Sequence, residues 1–107
     1  MWIAALQARG TLSPKVPPLR FLMLQSARLP RDHSCKELFV STLPLPTFVT
    51  FSEDDGEVKP HETRALIAKL LEPLVVVREK GGHSLMSMRA VSAEDQARVK
   101  DFFRAQR

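Results

Sequence analysis

Leu74-Val75-Val76-Val77-Arg78, then Gly81-Gly82, then Ser84 to Val91, then Ser92 to Gln106: this stretch decides how the chain is read. The opening run is β-branched and too short for a stable helix, so it reads as a strand. Gly81-Gly82 supplies the positive φ that a tight reversal needs. Ser84 to Val91 continues as a second strand, antiparallel to the first. Ser92-Ala93-Glu94-Asp95 then opens a helix in the manner of a capping box. Val99, Phe102 and Phe103 form its apolar face, and Arg98, Lys100, Arg104 and Arg107 load its C-terminal half with the charge its dipole favours. The expectation is a two-stranded ribbon folded onto a closing helix, a unit that by itself shows no chemistry.

Upstream of this unit, Pro60 to Leu71 reads as a second helix. Pro60 suits a first-turn position and Glu62 the positive end of the dipole. Leu66, Ile67, Leu70 and Leu71 make one stripe, and Pro73 ends it. Three further strands are expected: Leu19 to Ser26, Glu37 to Thr42 and Thr47 to Phe51. The first is apolar on both faces, which implies cover on both sides. Arg28 to Asp32 is a polar turn, Ser52 to Glu57 an acidic one, and Ser13 to Pro18 a proline-rich connector. Residues 1–10 read as a short helix ending at Gly10, with Trp2, Ile3 and Leu6 on one face, or alternatively as an extended entry segment.

A chain of 107 residues fits one domain, with residues 1–18 as a loosely ordered N-terminal segment. Hydrophobic residues make up 44%, which argues against wholesale disorder. The net charge of +4 favours anionic partners weakly, because no single tract holds the excess. Cys35 is the only cysteine, so an intramolecular disulfide is impossible and a cytoplasmic setting is expected. No apolar run approaches the roughly 20 residues of a membrane span, so no membrane insertion is expected.

Candidate chemistry is sparse. Asp32-His33-Ser34-Cys35 holds three triad residue types, but neighbours in sequence point apart, whereas a triad is assembled from distant segments. His33, His61, His83 and Cys35 lack the close spacing of a zinc site; the histidines read as lone surface side chains and Cys35 as a half-buried thiol. Phe51 to Glu62 mimics a calcium loop with Gly56 sixth, yet Phe51 in first place cannot coordinate. Glu53, Asp54, Asp55 and Glu57 could pose as a general acid and base, but a charge run is usually solvated. Gly81-Gly82 lies between two expected strands, which excludes a phosphate loop. Arg20, Arg28 and Arg31 precede and flank Asp32 and Ser34, and guanidiniums bind phosphate and stack on bases.

Asp32-His33-Ser34, Leu38-Phe39-Val40 and Leu43-Pro44-Leu45-Pro46 resemble part of a PilZ domain. The strand, glycine turn, strand, Ser-x-Glu-Asp start and Phe102-Phe103 resemble the end of one, so the likeness spans residues 32–103. It implies a small antiparallel β-barrel-like sheet with a C-terminal helix; the helix read at about 60–71 from its own spacing, where such domains usually have a strand, makes the expected fold α+β. It also implies a non-enzymatic bacterial regulator of motility, pili or exopolysaccharide, with no cofactor. Cyclic di-GMP would be held by Arg28 and Arg31 on phosphate and base faces and by Asp32 and Ser34 on base edge and phosphate. A degenerate member would instead act through a protein partner. The alternative is a small basic nucleic-acid-binding domain, disfavoured by only 7% aromatic residues and no tyrosine.

Overall fold

The computed structural model describes residues 10, 15, 17–31 and 42–107. Its elements are β1 (Leu22–Gln25), β2 (Thr47–Ser52), α1 (Pro60–Ile67), β3 (Leu74–Arg78), a short 3-10 turn (Met88–Ala90) and α2 (Ala93–Ala105). The three strands form an open sheet in the order β1-β2-β3, and both pairings are parallel. This small α+β domain is therefore not an antiparallel barrel.

The expected ribbon fails at its second strand. β3 pairs with β2, in the register Phe48↔Leu74 to Ser52↔Arg78, rather than with Ser84 to Val91. That stretch forms turns instead: Ser84 N donates to Gly81 O at 3.2 Å and Ala90 N to Ser87 O at 3.0 Å. The physical reason lies before β3. Parallel neighbours need a crossover of a dozen or more residues, and α1 with its flanking loops provides it between β2 and β3.

Both expected helices form. Pro60 sits in the first turn of α1, and Glu62 reaches back to accept from Lys59 N at 2.9 Å. The helix stops at Ile67, short of Leu71, and tight turns from Lys69 N to Leu66 O and Leu70 N to Ile67 O replace its last turn. Ser92 caps α2, its hydroxyl accepting from Asp95 N at 3.1 Å.

Every residue of β2 is buried, because the central strand is covered on both faces. On one face Val49 packs with Leu24, Leu29, Leu43, Ile67 of α1 and Leu70. On the other, Phe48 and Val76 pack with Val99, Phe102 and Phe103 of α2 and with Met86 and Met88. Phe21 meets Phe102 and Phe103 edge-on, with ring centroids 6.1 and 5.7 Å apart. The expected strand Leu19–Ser26 is shortened to β1; the expected strand Glu37–Thr42 and the N-terminal segment around Trp2, Ile3 and Leu6 lie largely outside the described residues. Among the described residues, no helix is long and apolar enough to cross a membrane.

Candidate functional site

Because the strands are parallel, all three end at the same edge of the sheet, where open sheets of this kind bind ligands. Ser52 and Arg78, the last residues of β2 and β3, stand side by side in register. Two loops leave from this edge. The one after β2 carries Glu53 to Lys59. The one after β3 carries Glu79 to Ser87 and runs back across the strand ends, until Met86 N donates to Gln25 Oε1 at the end of β1, 2.8 Å away. His83 lies midway along that path.

The two loops meet at an Asp–His pair. Asp55 Oδ2 lies 2.9 Å from His83 Nδ1. Asp55 Oδ1 accepts from Glu57 N at 2.9 Å and Val58 N at 3.0 Å, so both carboxylate oxygens are engaged. The Asp55 side chain is 0% exposed and that of His83 is 42% exposed. Burial pushes the Asp55 carboxyl up, but the His83 bond and the two N–H donors outweigh it and hold the pKa below the usual carboxylate range. The hydrogen bond to Asp55 is the main cause raising the His83 pKa, with added attraction from Asp55 and Glu57.

An ionised Asp55 can only accept, so the neutral His83 ring carries its proton on Nδ1. That leaves Nε2 with its lone pair directed away from Asp55, poised to take a proton from a third group. Glu57 Oε2 is 3.6 Å from Nε2. No serine hydroxyl among the described residues bonds His83: Ser52 donates to Asp54 and Ser84 to Gly81 O.

The backbone beneath His83 depends on glycine. Gly81 has φ +123°, and a Cβ there would stand 2.8 Å from Arg78 Nη1. That guanidinium is largely buried and donates from Nη2 to Ser84 O at 3.1 Å, supporting the loop from below.

The residues expected to grip a nucleotide lie elsewhere. Arg28 Nη1 and Arg31 Nη2 approach the same Glu62 Oε1, at 3.8 and 3.2 Å, beside the first turn of α1. Asp32 and Ser34 are outside the described residues, as are His33 and Cys35. Sequence reasoning passed over Asp55 as one of a solvated acidic run and His83 as a lone surface imidazole. The signal available was positional: an acid just after one apolar strand and a histidine just after the next, in the chain order Asp then His.

Comparison with known proteins gives one family. The family model described as serine hydrolase (FSH1) matches residues 1–92. No curated protein and no solved structure matches the chain. The family match overlaps the 32–103 stretch and overturns the likeness to PilZ domains. With it go the regulatory role through cyclic di-GMP and the expectation of a non-enzymatic chain, since the matched family is one of hydrolases. Nothing in the match supports a nucleic-acid-binding domain either.

Proposed function

The chain belongs to the serine hydrolase (FSH1) family, and on that premise we propose that Asp55 and His83 are the orienting carboxylate and the general base of a Ser-His-Asp acyl hydrolase. The observation that carries the reading is the 2.9 Å contact between a fully buried carboxylate and the Nδ1 of a half-exposed imidazole, at the carboxyl edge of a parallel sheet. Asp55 fixes the ring's tautomer and orientation and stabilises the imidazolium. His83 Nε2 accepts the proton of a hydroxyl nucleophile as its oxygen attacks the substrate carbonyl. It returns that proton to the leaving group when the tetrahedral intermediate collapses. Water then repeats the sequence on the acyl intermediate.

The nucleophile comes from outside the described residues. The only glycines are Gly10, Gly56, Gly81 and Gly82, so this sequence holds no Gly-x-Ser-x-Gly elbow. A cytoplasmic setting is part of the proposal, supported by the single cysteine. The test is ester hydrolysis and fluorophosphonate labelling by the full-length protein, compared with His83→Ala. Turnover of a p-nitrophenyl ester and a serine label, both lost in the variant, are expected. No turnover in the wild type, or turnover and labelling indifferent to His83→Ala, would overturn the reading.

A further inference from the structure

Two neighbouring carboxylates leave β2 and hold two neighbouring residues of the loop after β3. Asp55 holds the His83 ring. Asp54 holds the backbone one residue earlier, its Oδ1 accepting from Gly82 N at 2.8 Å. The same oxygen accepts from the hydroxyl of Ser52, the buried last residue of β2. This second link therefore runs from a fixed strand end to the Gly81–Gly82 peptide, one residue ahead of the imidazole. Resting on the reading of His83 as general base, we infer that Asp54 is a positioning residue, which fixes the Gly82 peptide so that His83 Nδ1 meets Asp55 and Nε2 faces outward.

The need for such a tie follows from the backbone. Gly81 and Gly82 both have positive φ, +123° and +56°, and two glycines in succession leave the chain freer than any other pair. A ring carried on that segment would meet Asp55 in a spread of orientations. Arg78 steadies the segment from below through Ser84 O, and Asp54 steadies it from the β2 side. The Ser52 hydroxyl first, and then the Gly82 N–H, hold the Asp54 carboxyl below its usual range, so it stays an acceptor at neutral pH. The charged groups facing His83 itself are Asp55 at Nδ1 and Glu57 at Nε2.

The test compares Asp54→Asn and Asp54→Ala in the full-length protein by NMR titration of the His83 ring, ester turnover and thermal midpoint. Asp54→Asn keeps an acceptor oxygen and is expected to titrate and turn over close to wild type. Asp54→Ala is expected to move the His83 midpoint down towards that of an unpaired imidazole. It is also expected to lower kcat by about 100-fold with little change in KM, the effect of a misplaced catalytic group. A change in thermal midpoint alone, with His83 titration and kcat at wild-type values, overturns the inference. The titration needs no substrate, so it separates failure of this inference from failure of the hydrolase reading. Should Asp54→Ala not fold, the Gly82 amide of the wild type decides: slow hydrogen exchange supports the tie, and exchange at the rate of an open loop refutes it.

Discussion

Two of the acid–base pairs on this small domain, Arg31–Glu62 and Asp55–His83, differ in burial, in setting and in what their basic members can do. Arg31 and Glu62 meet at 3.2 Å beside α1, with the arginine side chain 70% exposed. Asp55 and His83 meet at 2.9 Å, with the carboxylate fully buried and both its oxygens engaged, on two loops that a parallel sheet brings to one edge. A pair becomes useful for catalysis when the fold fixes one member and leaves the other open to a third group. In the Arg31–Glu62 pair the Lys59 N–H holds the carboxylate, but the open member is a guanidinium, which can take no proton from anything.

The largest expected contrast is in turnover. If His83 is the base, Asp55→Asn leaves its one oxygen to the Glu57 and Val58 N–H groups and turns an amide donor on His83 Nδ1, which imposes the wrong tautomer and lowers ester turnover by about 10,000-fold, the scale known for a serine-protease triad. Arg31→Ala leaves turnover unchanged. Equal effects of the two substitutions would erase the distinction.

Stability separates the pairs next. Asp55→Ala strips the acceptor from the Glu57 and Val58 N–H groups and is expected to cost about 1–3 kcal/mol in denaturant unfolding. Arg31→Ala removes an exposed ion pair, and no measurable shift of the unfolding midpoint is expected, at low salt or high.

Acidity gives a third contrast. The folded-state pKa of His83 lies above its ordinary 6.5, so its stabilisation is fully present below 6.5 and is lost as the pH climbs through the raised value. That of Asp55 lies below its ordinary 3.8, so its contribution is present above 3.8 and is lost as the pH falls through the lowered value. The pair stabilises the fold most between those two ordinary values. Turnover needs the neutral ring, so the acid limb of kcat/KM is expected above pH 6.5 and moves down in Asp55→Asn. Among substitutions around the ring, Glu57→Gln has the smallest effect on the His83 titration. Its carboxylate is 77% exposed and 3.6 Å from Nε2, so only a slight lowering of the His83 midpoint is expected.

Much of this architecture was legible in the chain. Pro60 with Glu62, and Ser92 with Asp95, mark where both helices begin, because capping is local. Thr47 to Phe51 and Leu74 to Arg78 are recognisable as strands from composition alone. Pairing was the part misread. The run Leu74 to Val77, and the two-faced apolar strand around Leu22, already speak for a parallel sheet covered on both sides. The glycine pair pulls the other way, since Gly81-Gly82 looks the same whether it reverses a hairpin or carries a loop over a strand end. The site follows from that choice. Asp55 and His83 are 28 residues apart, and only a parallel register of β2 and β3 places their loops together. As an antiparallel ribbon, the same residues give a solvated acidic turn and a stray histidine, and attention moves to Arg28 and Arg31.

The most direct measurement is the nitrogen-15 NMR titration of the His83 ring in wild type and Asp55→Asn. The account predicts a neutral ring protonated on Nδ1, with a midpoint above 6.5 that falls when Asp55 is neutralised. A neutral ring protonated on Nε2, with a midpoint the substitution does not move, would contradict it.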